Sequence, residues 1–230
     1  MKLFLRFSLP MILLIGLSYV FLDRPLCEWI HGQGIPEQLS SFCMLGHWPP
    51  VTSETSGHFS LVTQLVEWPP IITGIAPILL IAAFFLPSGR AKQLLIMIGF
   101  SVLVTFVLKN DLKWIFSRYW PLTWTHENLS WISHRAYGFQ WFHGRIFLGS
   151  DETGSFPSGH TAVAFAALLP VGLVYPRFMP VALLLAVMEA LFMVAFDYHF
   201  LSDVLAGALV GIFCTLLIDR LITKTGSKEG

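Results

Sequence analysis

The chain has 230 residues, of which 55% are hydrophobic and only 12% charged, and its formal net charge is zero. A soluble domain carries roughly 25% charged residues, so this composition points to a chain whose solvent is largely lipid. The lack of any basic surplus argues against nucleic-acid binding, and three cysteines are too few for a disulfide framework.

A helix that crosses a bilayer needs about 20 mostly apolar residues. Six stretches meet or approach that length: Leu3 to Leu22, Pro69 to Leu86, Gln93 to Leu108, Thr161 to Tyr175, Met179 to Phe196, and Val204 to Ile222. Lys2 and Arg6 ahead of the first stretch also fit a secretory signal. The run is long for one, and no small-x-small cleavage site follows it. The expected architecture is therefore all-α: a polytopic membrane protein with six transmembrane helices, forming a single domain over 1–230. Two long polar connections, Asp23 to Trp68 and Lys109 to Pro157, interrupt the series.

Lys and Arg in short loops collect on the cytoplasmic side. With the amino terminus inside, Lys2, Arg6, Arg90, Lys92, Arg177, Arg220, Lys224 and Lys228 all fall inside, and the two long connections fall outside. The eight histidines (His31, His47, His58, His126, His134, His143, His160 and His199) then share the outer face.

Three segments on that face carry chemistry. In chain order, the first is Lys113-Trp-Ile-Phe-Ser-Arg118-Tyr-Trp120-Pro121. Its two cations suit a phosphate, Arg118 offering a planar fork; the alternative is an interfacial belt of snorkelling cations and aromatics. The second is Phe156-Pro157-Ser158-Gly159-His160, just before the fourth span. A helix amino terminus with unpaired N–H groups is an anion site, to which Ser158 adds a hydroxyl and His160 a proton carrier; a plain capping turn is the competing view. The third is His199-Phe-Leu-Ser-Asp203, in which an Asp four residues on can orient an imidazole as nucleophile or base, or fix a helix end. Arg145, in the second outer connection, is a further candidate for holding phosphate. Glu189 reads as a hydrogen-bonded or protonated structural group within the fifth span. Cys27 and Cys43 share the first outer connection and fit a disulfide equally as well as two free thiols, whereas Cys214 reads as a buried small hydrophobe. The histidine spacing shows no zinc pattern, so no metal or cofactor is expected.

Taken in order, these segments resemble the motifs of the type 2 phosphatidic acid phosphatase superfamily: Lys-x6-Arg-Pro, Pro-Ser-Gly-His, and Ser-Arg-x5-His-x3-Asp. Pro157 to His160 reproduces the middle motif, His199 and Asp203 keep the last, and Lys113 and Pro121 hold the spacing of the first. The family's two arginines would fall at Trp120 and Met193, and both are missing. The resemblance implies a metal-independent double displacement on a phosphate or diphosphate of a membrane lipid. His199 would be the nucleophile, Asp203 its orienting carboxylate and His160 the general acid. Lys113, Arg118, Ser158, the Gly159 N–H and Arg145 would hold the phosphoryl oxygens. Competing readings are a phosphotransferase of the same superfamily and a small transporter or scramblase. The expected setting is a bacterial inner membrane, with the site facing outward.

Overall fold

The computed structural model describes residues 2–42, 61–123, 128–150 and 152–226. His47, His58, His126 and Cys43, and with Cys43 the bridge to Cys27, lie outside the described residues. All regular elements among the described residues are helical. Helix α1 (Lys2–Leu17) passes through a π turn at Ser18–Leu22 into α2 (Asp23–Gly32), and α3 (Ile35–Phe42) follows. Next come α4 (Leu61–Phe85), α5 (Arg90–Phe116) and the single turn α6 (Trp131–His134). The chain closes with α7 (Gly159–Val174), α8 (Met179–Ala195) and α9 (Leu201–Gly226).

Each expected span is a helix, and among the described residues five stretches are long and apolar enough to cross a membrane: Arg6–Gly32, Trp68–Phe85, Arg90–Phe116, Pro176–Ala195 and Leu201–Lys224. The other, α7, has 16 residues, about 24 Å at 1.5 Å per residue, short of a hydrocarbon core of about 30 Å. Its surroundings explain why that length suffices. From Ala162 to Ala167 every residue is buried, so α7 is enclosed by other helices and need not match the lipid. A helix apolar on all sides belongs in a core. The outer helices are the reverse, with large apolar side chains exposed on α1 (Leu9), α4 (Phe84, Phe85) and α8 (Leu184, Leu191).

The expected polar connections are shorter than the sequence suggested. Asp23 does not end the first span, because the helix runs on through it to Gly32. Likewise α5 continues through Lys109 and Lys113 to Phe116. Glu189 is buried and accepts a hydrogen bond from Trp68 Nε1 at 3.2 Å, as a structural group in a span should.

Helices α7 and α9 touch along a seam of small residues. A methyl group at Gly207 would collide with the Ser158 carbonyl, and one at Gly211 with the Ala162 carbonyl. This four-residue glycine spacing lets two backbones approach as they do in membrane helix pairs. It brings the first turns of α7 and α9 together, and both turns carry the residues that matter below.

Candidate active site

The turn between α8 and α9 places His199. Asp197 takes a left-handed conformation (φ 54°), and the Met193 carbonyl then accepts both the Tyr198 and His199 N–H groups at 3.0 Å. His31 Nδ1 lies 3.2 Å from Asp197 Oδ2, tying the turn to α2. Asp203, third residue of α9, accepts the Phe200 N–H at 3.0 Å, the returning half of a capping box. The same oxygen accepts the Ser155 hydroxyl at 2.5 Å and stands 3.7 Å from His199 Nδ1. The His199 side chain is only 2% exposed. Burial pushes its imidazole down to about 4, against the opposing pull of Asp203, so the ring is neutral at ordinary pH.

Arg118 enters from the end of α5. Ser117 stops that helix in the left-handed region (φ 43°), its N–H bonded to the Lys113 carbonyl at 2.8 Å. The chain then turns Arg118 inward until none of it is exposed. Its Nη1 donates to Asp203 Oδ1 and to Ser202 Oγ (2.6 Å), while Nη2 donates to Asp23 Oδ2 at 2.8 Å. Rings of Tyr19, Tyr137, Phe139 and Phe200 surround the guanidinium. Burial works against the charge, but Asp203 and Asp23 outweigh it and raise the pKa above its ordinary value. The sequence reading expected Arg118 to hold substrate phosphate. Two carboxylates occupy its nitrogens, and it supports Asp203 instead.

Ser158 caps α7. Its Oγ accepts the Thr161 N–H at 3.4 Å and donates to Thr161 Oγ1 at 3.0 Å, and its own N–H bonds the Asp203 carbonyl at 2.9 Å. The hydroxyl therefore serves the helix start; the sequence reading expected it to hold a phosphate. Gly159 has a different use: a Cβ there would sit 3.2 Å from Lys109 Cδ, so the missing side chain makes way for the lysine stem. His160 follows with Nε2 buried and, among the described residues, no hydrogen-bond partner. Its ring centroid is 6.4 Å from that of His199.

A cavity of about 210 Å³ opens between α4, α5 and α7. Lys109, Lys113, Gly159 and His160 form its polar side, and Pro70, Thr73, Phe106 and Val163 the rest. Lys113 Nζ donates to the Gly154 carbonyl and lies 5.2 Å from the centre of the Trp120 ring. Lys109 Nζ donates to Asn110 Oδ1 at 2.8 Å. His199 does not line this cavity; its ring packs against the Trp120 indole, centroids 5.2 Å apart. Arg145 does not line it either. It sits exposed on a tight turn closed by its N–H bond to the Gly149 carbonyl at 2.9 Å, and that turn abuts the Lys113 stem.

A model of the PAP2 superfamily matches residues 91–226. The chain belongs to the PAP2 superfamily. No curated protein matches it. Among solved structures it is similar to a transmembrane PAP2-type phosphatidylglycerolphosphate phosphatase from Bacillus subtilis, with 19% identity over 90% of this chain and 96% of that one, and a TM-score of 0.42.

Within the PAP2 segment, the positions of the two missing arginines are filled by packing. Trp120 is 7% exposed and lies between Lys113 and His199. Met193 is fully buried in a cluster with Ile30, Val194, Phe196 and Val204. Cations at the cavity come instead from α5. Sequence reasoning missed Lys109, although its spacing of four from Lys113 on a continuous helix puts both on one face. It also missed Ser155, Ser202 and Asp23, for which no local pattern exists.

Proposed function

We propose that this PAP2 protein is a lipid phosphatase working by double displacement through a phosphohistidine. In the first step His199 Nε2 forms a bond to phosphorus as the bond from phosphorus to the lipid oxygen breaks, and His160 gives that oxygen a proton. Asp203 orients the ring and offsets the charge it gains. In the second step water attacks phosphorus, its proton passes to His160, and the N–P bond breaks to release inorganic phosphate. Lys113, the Gly159 N–H and Lys109 face the phosphoryl oxygens, where positive charge counts most in the transition state. Arg145 joins them from its exposed turn once a headgroup is bound. The scheme uses no metal.

One observation carries the reading: His199 with Asp203 behind it, and His160 beside Lys113 on the cavity wall, stand with ring centroids 6.4 Å apart. The apolar half of the cavity suits a lipid leaving group. The site is assigned to the outer face of a bacterial inner membrane, because the basic residues of the short loops lie at the other end of the bundle.

The test is phosphate release by purified protein from phosphatidic acid, phosphatidylglycerol phosphate, undecaprenyl diphosphate and phosphorylated lipid A. Release from at least one is expected, with His199→Ala reduced at least a thousandfold while still inserted in membranes. Turnover by His199→Ala at the wild-type rate sinks the assignment. Phosphate appearing on an added lipid acceptor rather than in solution makes the protein a phosphotransferase.

A further inference from the structure

The family match begins at residue 91, yet the first span reaches into the site. Asp23 opens α2 with only 1% of its surface exposed. Its Oδ1 accepts the Ser202 N–H at 2.9 Å, and its Oδ2 accepts the Ser202 hydroxyl at 2.5 Å and Arg118 Nη2 at 2.8 Å. The Tyr137 hydroxyl stands 3.4 Å from the same oxygen. On its other nitrogen, Arg118 reaches Asp203, the residue behind His199. Two carboxylates 180 positions apart in sequence thus share one guanidinium, and Asp23 also holds Ser202.

Two consequences follow from elementary electrostatics. A guanidinium is a planar fork, and a carboxylate at each of two nitrogens leaves it a single orientation. Asp23 also bonds the second N–H of α9, so the first turn of that helix, which carries Asp203, is held from outside. The charges add as well. One cation between two carboxylates leaves one net negative charge beside His199. That charge favours the imidazolium formed when His199 bonds to phosphorus, and it does so more in the transition state than in the ground state. Without Asp23 the Arg118–Asp203 pair is neutral, and this preference fades.

We propose that Asp23 is a positioning residue for phosphoryl transfer: through Arg118 and Ser202 it sets Asp203, and so His199, while touching no substrate. The inference rests on the phosphatase reading above. It gives the amino-terminal span, outside the family segment, a part in the reaction.

The experiment compares wild type, Asp23→Asn and Ser202→Ala, using full-length protein in detergent micelles. Active sites are counted by the burst of phosphoenzyme, so that kcat is expressed per functional site. Asp23→Asn should lose at least tenfold in kcat with KM within twofold of wild type. Ser202→Ala, a lighter change, should lose about threefold or more in the same parameter. Fewer active sites with wild-type kcat per site would reduce Asp23 to a structural tie and overturn the proposal, as would a rise in KM alone. Should Asp23→Asn not be recovered folded, Ser202→Ala decides: kcat per site equal to wild type overturns the proposal. If wild type itself forms no phosphoenzyme and releases no phosphate, the phosphatase reading fails instead.

Discussion

His199 combines deep burial with a carboxylate partner at 3.7 Å, and the two influences oppose each other. An exposed imidazole titrates near 6.5; desolvation carries His199 down to about 4. The His199 ring is therefore neutral, with a lone pair available for the proposed attack, across the whole physiological range. The sign for stability follows by linkage. The unfolded chain binds this proton near pH 6.5 and the folded chain only near 4, so stability is full above about 6.5 and declines as pH falls towards 4. Nuclear magnetic resonance of labelled imidazoles, with His199 assigned by a His199→Gln variant, should show its ring neutral from pH 8 to 5. A midpoint near 6.5 would mean that water reaches the ring freely. His160, His199, Asp203 and Lys113 were singled out by motif and spacing, and the structure brings them to one end of the bundle. Arg118 was singled out as a phosphate holder, whereas its partner Asp23 comes from the far end of the chain and was not foreseen. Buried ion pairs of this kind join segments by charge alone and leave no periodic trace in sequence.

At the scale of elements, the site exists because two helix starts lie side by side. Ser158 caps α7 and, through its N–H, also bonds the carbonyl of Asp203 in the first turn of α9. The seam that permits this is Gly207 and Gly211 on α9, against the Ser158 and Ala162 carbonyls of α7. Gly207→Leu is expected to force the helix starts apart. Overpacking of a tight core costs about 1–3 kcal/mol, enough to lower the melting temperature in detergent by several degrees. Because His160 and His199 ride on the two helix starts, phosphate release should fall at least a hundredfold, more than the stability loss alone explains. Gly16→Leu is the control: its α1 position has open space around a built Cβ, and both quantities should stay near wild type. The apolar helices were visible in hydropathy, five of them at the length that lipid imposes. The small-residue seam was not, since glycines in a span look the same whether they face a neighbour or lipid. The short α7 illustrates the same point: enclosure by protein, which hydropathy does not register, frees it from spanning length.

At the scale of the whole molecule, the bundle has a site end and a basic end. Helix α5 starts at Arg90 and finishes beside the cavity, while α9 starts beside Asp203 and runs to Lys224 and beyond. Several cations of the site end are engaged by the protein itself. Arg118 is held by Asp23 and Asp203, Arg135 pairs with Glu28 at 2.5 Å, and Arg24 lies over the Trp131 and Tyr137 rings. The exposed basic residues of the short connections lie at the opposite end, and that asymmetry orients a membrane protein. The expectation is a site that faces outward. Ser133 at the site end and Ser88 between α4 and α5 are both exposed, so each can be changed to cysteine in a Cys43→Ser background, where Cys27 and Cys214 are buried. A membrane-impermeant maleimide added to intact spheroplasts should label the Ser133→Cys variant and reach the Ser88→Cys variant only after lysis. The opposite pattern would turn the molecule over and place lipid dephosphorylation on the cytoplasmic leaflet. Labelling of both variants in intact spheroplasts would mean a mixed topology, and with it a charge bias too weak to orient this chain.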